Sequence, residues 1–106
     1  MEIKENVNGG NADGDELTLE VTGEIDGSNV GTFESALQDA ANRASYLILD
    51  LKGLDYVSSA GLRVFLMIQK RMKQQAHRMV LRNLTDEVRE IFTVTGFVRL
   101  LHIEEA

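Results

Sequence analysis

The sequence predicts an α/β fold, in which a mixed sheet of four to five strands carries helices packed mainly on one face. Segments with the two-residue period of strands alternate along the chain with segments that have the helical period of about 3.6 residues. One early strand is apolar on one side only, which is typical of a sheet with one packed and one solvated face. With 106 residues, of which 43% are hydrophobic, we expect a single domain over 1–106.

The first half of the chain predicts a hairpin, a helix and a central strand. A short strand over 2–7 and an alternating strand over 17–22 are separated by a polar, glycine-rich loop over 8–15, which favours an antiparallel hairpin. Ser28 or Asn29 is expected to cap the next helix. Its apolar stripe consists of Val30, Phe33, Leu37, Ala40, Ala41 and Ala44. The run 46–50 is apolar without alternation, as in a central strand.

The next helix begins at two adjacent serines, after a predicted short polar turn that follows the strand. At about 100° per residue, one face of this helix is apolar. That face comprises Gly61, Val64, Phe65, Ile68 and Met72, and the opposite face comprises Arg63, Lys70, Arg71 and Gln74. Met67 falls in the middle of the polar face, so the apolar surface is wider than one packing stripe needs.

The remaining sequence predicts a strand over 78–82 and a third helix. Thr85 is expected to cap this helix and Gly96 to end it. Its apolar residues are Val88, Ile91 and Phe92. The run 100–103 fits either a last strand or part of a terminal helix.

The composition excludes several classes of function. There is no cysteine, which excludes disulfides and thiolate chemistry. The formal net charge of -6 argues against nonspecific nucleic-acid binding and against anionic membrane surfaces. No apolar run approaches the length of a membrane span, and the N-terminus does not resemble a signal peptide, so we expect no membrane insertion.

The sequence contains few residues suited to catalysis. Neither His77 nor His102 has a second ligand-type residue at metal spacing, and no glycine-rich phosphate-binding motif is present. We therefore expect no metal, no cofactor and no enzyme activity. The rival interpretation from another class makes Ser59 a hydrolytic nucleophile, but no Gly-x-Ser-x-Gly motif surrounds it.

Polar residues at the predicted carboxyl edge of the sheet form a candidate site. Ser58 and Ser59 open a helix, where a hydroxyl can cap the free N–H groups or carry a phosphate. Asp26 follows a neighbouring strand, so it is expected near both serines and Asp55. For Asp26, an Asx turn or a helix cap is the structural alternative to a recognition role. Gly61 destabilises its helix by roughly 1 kcal/mol relative to alanine. Close packing on the sheet, or the approach of a partner, would explain why a glycine occupies this position.

Two motifs resemble those of the STAS domain family, the sulfate-transporter and anti-sigma-factor-antagonist fold, in its stand-alone bacterial form. The first is Leu19-Glu-Val-Thr-Gly-Glu-Ile-Asp26, and the second is Leu49-Asp-Leu-Lys-Gly-Leu-Asp-Tyr-Val-Ser-Ser-Ala-Gly-Leu62. A weaker similarity covers 83–97. The resemblance spans about 17–103 and implies a STAS-like sheet. It also implies that Ser59, two residues before Gly61, is the phosphorylated residue. Ser58 stands where many members carry Asp.

The resemblance implies a cytoplasmic anti-sigma factor antagonist that works by partner switching. The unphosphorylated protein would bind an anti-sigma factor serine kinase, the kinase would phosphorylate Ser59 and weaken the complex, and a phosphatase would reset it. The partner-binding residues are then predicted to be Asp26, Ser58, Gly61, Leu62, Arg63 and Met67. The alternative within the binding class is a non-switching STAS scaffold subunit in a transport-linked or multi-protein complex.

Overall fold

The computed structural model describes residues 1–11 and 14–104, and the side chains of 1–7 and 15–104. Along the chain the elements are β1 (Glu2–Asn11), β2 (Gly14–Ile25), α1 (Val30–Arg43), β3 (Ala44–Val57), α2 (Ser59–Gln74), β4 (Arg78–Arg82), α3 (Asp86–Thr95), a 3₁₀ turn (Phe97–Arg99) and β5 (Ile103–Glu104). The predicted α/β class is confirmed. None of the described helices has both the length and the apolar character needed to cross a membrane.

The five strands lie side by side in chain order, β1-β2-β3-β4-β5. β1 and β2 form the predicted antiparallel hairpin, and every later neighbouring pair is parallel. A parallel pair needs a crossover connection, which the helices supply. The carboxyl ends of β2 and β3 therefore meet at one edge of the sheet, where α1 and α2 begin.

The predicted loop over 8–15 is too long. β1 runs to Asn11 and β2 starts at Gly14, and the antiparallel pairing continues through Gly10↔Asp15 and Asn11↔Gly14. Strand pairing uses backbone groups, so a polar, glycine-rich composition does not prevent it. Residues 12 and 13 of this prediction lie outside the described residues.

The predicted polar turn after 47–50 is wrong, because β3 continues to Val57. The pairing of β2 with β3 shifts register at three places, and at each of them β3 contributes one more residue than β2. Such bulges break the two-residue alternation by which a strand is recognised. A Cβ atom on Gly53 would lie 2.6 Å from Cγ2 of Thr22, so glycine permits the close approach of β2 there.

The core lies between one face of the sheet and the three helices. Leu17, Leu19 and Val21 of β2 all belong to it, which confirms the predicted alternation. Three phenylalanines, one from each helix, meet edge to face at its centre. The ring centroid of Phe65 in α2 lies 5.1 Å from that of Phe33 and 5.8 Å from that of Phe92. The helix α2 thus packs between α1 and α3.

The helical faces agree with the predicted periodicities, with one correction in α1. The predicted apolar face of α2 is buried throughout: Gly61, Val64, Phe65, Ile68 and Met72. In α1 the buried residues are Phe33, Leu37, Ala40 and Ala41. Ala44 is buried as well, but it is the first residue of β3 and lies beyond the end of α1.

The third helix has the predicted ends. The Thr85 hydroxyl accepts a hydrogen bond from the Val88 N–H at 3.2 Å and donates one to the Leu54 carbonyl at 2.8 Å. Gly96 ends the helix in a left-handed conformation with φ 81°. Within the described part of the last segment, Ile103–Glu104 forms the strand, and it pairs with the end of β4.

Candidate functional site

The two serines at the start of α2 have different roles. Ser58 is the N-cap residue, and its Oγ accepts a hydrogen bond from the Gly61 N–H at 3.2 Å. Ser59 is the first helical residue and is exposed. Among the described residues its hydroxyl has no hydrogen-bond partner. The capping interpretation is therefore confirmed for Ser58, and it leaves the Ser59 hydroxyl available to a partner.

Asp26 forms a compact turn directly after β2. Its Oδ1 accepts from the Ser28 N–H at 2.9 Å and from the Ser28 hydroxyl at 2.6 Å. These two hydrogen bonds, the one from the hydroxyl first, hold the pKa of the Asp26 carboxyl below its ordinary value, because they stabilise the ionised form. The Asx-turn interpretation of Asp26 is confirmed.

The predicted side-chain cap of α1 is absent at Asn29. This residue occupies the N-cap position, but its side chain makes no capping hydrogen bond. Its Nδ2 instead donates to the Glu24 carbonyl at 2.9 Å, and its Oδ1 accepts from the Asp26 N–H at 3.0 Å. Asn29 therefore bridges the turn after β2. The Val30 N–H donates to the Asp26 carbonyl at 2.9 Å.

The loops that carry Asp26 and Ser58 lie together at the carboxyl edge of the sheet, as predicted. Ile25 and Val57 face each other in the parallel pair, so the next residue of each strand is Asp26 or Ser58. The Ser58 N–H also donates to the Ile25 carbonyl at 2.9 Å. Asp55, predicted in the turn beside the serines, lies within β3, where it is an exposed extra residue of the bulged pairing.

Gly61 fixes how closely the start of α2 approaches the sheet. A Cβ atom at this position would lie 2.6 Å from Cγ2 of Val57 and 2.9 Å from Cγ2 of Ile25. Packing on the sheet therefore explains this glycine. Leu62, next to it, is only 2% exposed. Any part that Gly61 and Leu62 have in partner binding must act through the placement of the helix, because neither presents a surface.

The outward side of α2 forms an open groove of about 420 Å³ beside α1. Its lining residues are Arg63, Leu66, Met67, Lys70, Arg71 and Gln74. Met67 is 38% exposed, which agrees with its predicted place on the polar face. Gln38 of α1, which sequence reasoning missed, donates to the Met67 sulfur at 3.8 Å.

Arg71 differs from the other cations of this face. Its guanidinium donates to the Gln38 carbonyl at 3.2 Å and to Asn42 Oδ1, so it ties α2 to α1. Arg63 and Lys70 are exposed and have no ion pair or hydrogen bond with any other described side chain. These two cations flank Met67 on the outward side of α2.

The described residues contain no group of three or more His, Asp or Glu side chains that could hold a metal ion. His77 precedes β4, at the amino ends of the parallel strands, whereas Ser59 follows the carboxyl end of β3. The 16 residues of α2 separate these two ends by about 24 Å. His77 is therefore too far away to activate Ser59 as a nucleophile.

The chain is similar to bacterial anti-sigma factor antagonists. A family model described as the STAS domain matches residues 3–106. The anti-sigma-B factor antagonist of Listeria monocytogenes is 30% identical, with 98% of this chain and 87% of that protein covered. The protein of the same name from Bacillus subtilis is 27% identical, with 97% and 88% covered.

Solved structures show the same fold. An anti-sigma factor antagonist from Mycobacterium paratuberculosis superposes with a TM-score of 0.74 at 21% identity, covering 99% of this chain and 87% of that one. The antagonist SpoIIAA in its unphosphorylated form gives a TM-score of 0.73 at 17% identity, with 96% and 89% covered.

Proposed function

This chain belongs to the STAS domain family, and from that premise we propose that it is an anti-sigma factor antagonist switched by phosphorylation of Ser59. The observation that supports this most is the division of roles at the start of α2. Ser58 satisfies the helix cap, which leaves the exposed Ser59 hydroxyl without a structural task. Capping by Ser58 keeps α2 in place whether or not Ser59 carries a phosphate.

The proposed cycle needs a kinase, ATP and a phosphatase, all in the cytoplasm. The unphosphorylated chain binds an anti-sigma factor serine kinase and thereby frees the sigma factor. The kinase then transfers the γ-phosphoryl group of ATP to Ser59: the Oγ–P bond forms, the bond to the oxygen kept by ADP breaks, and a base of the kinase accepts the hydroxyl proton. The phosphatase hydrolyses the ester and restores the binding form.

Charge explains why the phosphate would weaken the complex. A phosphate adds about -1.5 to -2 charges and three acceptor oxygens at the exposed start of α2. A partner that covers this point must either remove water from the phosphate or offer it positive charge. A surface that fits the neutral Ser59 hydroxyl offers no such charge, so the desolvation is uncompensated.

The proposed partner surface extends from the helix start along the outward side of α2. Asp26 and Ser58 form its edge at the sheet, and Arg63 and Met67 continue it. Gly61 and Leu62 contribute by setting the position of the helix. Arg63 and Lys70 flank Met67, so the partner is expected to place acidic groups around an apolar contact.

The direct test is the intact mass of the protein before and after incubation with the candidate kinase and ATP. The proposal predicts the addition of one phosphate and dissociation of the complex with the kinase. A stable complex that forms without any phosphate transfer would instead indicate a non-switching scaffold subunit. Turnover of an ester by the protein alone would indicate a hydrolase.

Met67→Asp is expected to weaken kinase binding at least about tenfold while leaving the melting temperature nearly unchanged, because it puts a charge into an exposed apolar contact. Val94→Asp on α3 is the matched control, since Val94 is 71% exposed and lies outside the proposed surface. Titration calorimetry and thermal melts measure both effects. Unfolding of the Met67 variant, or equal weakening in both variants, would contradict the proposal.

Asp26→Asn is expected to change the phosphorylation rate or the kinase affinity with only a small loss of stability. The asparagine Oδ1 can still accept from the Ser28 N–H, so the Asx turn persists while the negative charge beside the helix start is lost. Glu90→Gln on α3 removes the same charge at an exposed distant position. If the phosphorylation rate and the kinase affinity match the wild type in both variants, Asp26 only stabilises the turn after β2.

A further inference from the structure

A second cavity lies at the opposite end of the sheet from Ser59. Its volume is about 380 Å³, and it lies between the last turns of α2, the start of β4 and the segment before β5. The charged and titratable lining residues are Lys73, His77, Arg78, Arg99 and His102. None of the described residues that line it is a carboxylate.

The walls of this cavity are held in place by Gln69. Its Nε2 donates to the Met79 carbonyl at 3.2 Å, and its Oε1 accepts from the His102 N–H at 3.0 Å. One side chain of α2 therefore connects the helix to β4 and to the segment that leads into β5. Such a cavity exists before a ligand arrives, which lowers the cost of binding.

His77 contributes an unsatisfied polar atom to this region. Its Nδ1 is buried and has no hydrogen-bond partner among the described residues. Its backbone N–H donates to the Met72 carbonyl at 2.8 Å, so the missing hydrogen bond is that of the imidazole. A buried polar atom without a partner is destabilising, but this atom is shielded from the cavity and is not itself a contact for a ligand.

The charged residues that line the cavity are all cationic, although the whole chain carries -6. Lys73 lies in the last turn of α2, where it complements the helix dipole. That explanation does not extend to Arg78, which begins a strand, or to Arg99, which lies in a three-residue turn. The Arg78 guanidinium stacks over the Tyr46 ring, 4.6 Å from its centroid, on the sheet face away from the helices, so Lys73 and Arg99 are the cations left for the cavity.

We propose that this cavity binds a small organic anion, a carboxylate or a phosphate monoester attached to an apolar group. Lys73 and Arg99 suit the anionic end. Leu100, which is 54% exposed, suits the apolar end. The volume lies at the lower end of the range of about 300–1,000 Å³ that is usual for small-molecule sites. The site is separate from Ser59 and does not depend on its phosphorylation.

The test is a titration of the ¹⁵N-labelled protein with benzoate and with phenyl phosphate, followed by amide chemical shifts. Benzyl alcohol serves as the uncharged probe. We expect saturable shifts at 77–79 and 99–102 with one or both anions and none with the alcohol. The two anions distinguish a carboxylate site from a phosphate site. Shifts that do not saturate, or that occur only elsewhere, would overturn the proposal.

The double variant Lys73→Gln/Arg99→Gln is expected to raise the dissociation constant of the bound anion at least about tenfold, since two charge-assisted contacts are lost. The control Lys4→Gln/Lys52→Gln removes the same charge from exposed strand positions. It is expected to change the dissociation constant of the anion less than about twofold. Equal losses in the two double variants would show diffuse attraction to the protein and would refute a specific site.

Discussion

Ser59→Ala is expected to abolish phosphate uptake from the kinase, whereas Ser58→Ala is expected to leave it in place. The Ser58 hydroxyl is occupied by the Gly61 N–H at 3.2 Å, and its backbone N–H is bound to the Ile25 carbonyl at 2.9 Å. Ser59 is exposed, and its hydroxyl has no such bond to another described residue. A kinase can therefore reach Ser59 without breaking the cap of α2.

The two variants also differ in stability, which must be separated from the kinase result. Loss of the Ser58 cap is expected to lower the free energy of unfolding by about 0.5–2 kcal/mol, while Ser59→Ala is nearly neutral. Phosphate uptake should be measured by intact mass well below both melting temperatures, with the site mapped by peptide sequencing. A phosphate mapped to Ser58, or full uptake by Ser59→Ala, would refute the assignment.

Gly61→Ala is expected to lower the free energy of unfolding by about 1–3 kcal/mol, because the added methyl group overpacks the contact of α2 with β2 and β3. The new Cβ atom would lie 2.6 Å from Val57 Cγ2 and 2.9 Å from Ile25 Cγ2. Both neighbours are short, branched side chains in strands and have little freedom to move away.

Gly31→Ala is the matched control with the opposite sign. Gly31 lies in the first turn of α1, and apart from its chain neighbours and the backbone of its own helix nothing lies within 4 Å of the position its Cβ would take. Replacing an unhindered helical glycine by alanine is expected to raise the free energy of unfolding by up to about 1 kcal/mol. Urea unfolding of both variants measures the difference. A Gly61 variant as stable as the Gly31 variant would mean that the helix start adjusts without cost.

This packing contact also has a consequence for the proposed switch. Gly61 lies two residues after Ser59 and lets the helix start press against the paired ends of β2 and β3. A displacement of the helix start would move Ser59 and Ser58 together relative to Asp26. The folded fraction of Gly61→Ala is therefore expected to be phosphorylated more slowly than the folded wild type.

Local signals in the sequence determined the helices and their ends. The apolar face of α2, the cap at Thr85 and the left-handed Gly96 were all predictable, because periodicity and capping involve residues within one or two turns. The β4 strand over 78–82 was predicted with the bounds that the structure has. The positions of Asp26 and Ser58 after two neighbouring strands likewise predicted that both lie at the carboxyl edge of the sheet.

Tertiary structure alone decided what depends on residues distant in the chain. The length of β3 follows from bulged pairing with β2, which no alternation pattern in 44–57 reveals. The choice of Ser58 as the cap, which leaves Ser59 free, follows from how the Ile25 carbonyl holds the Ser58 N–H. The second cavity needs α2, β4 and the turn before β5 to converge, and Gln69 joins them across 33 residues. Such contacts depend on how the elements pack, and a sequence read one segment at a time does not contain that information.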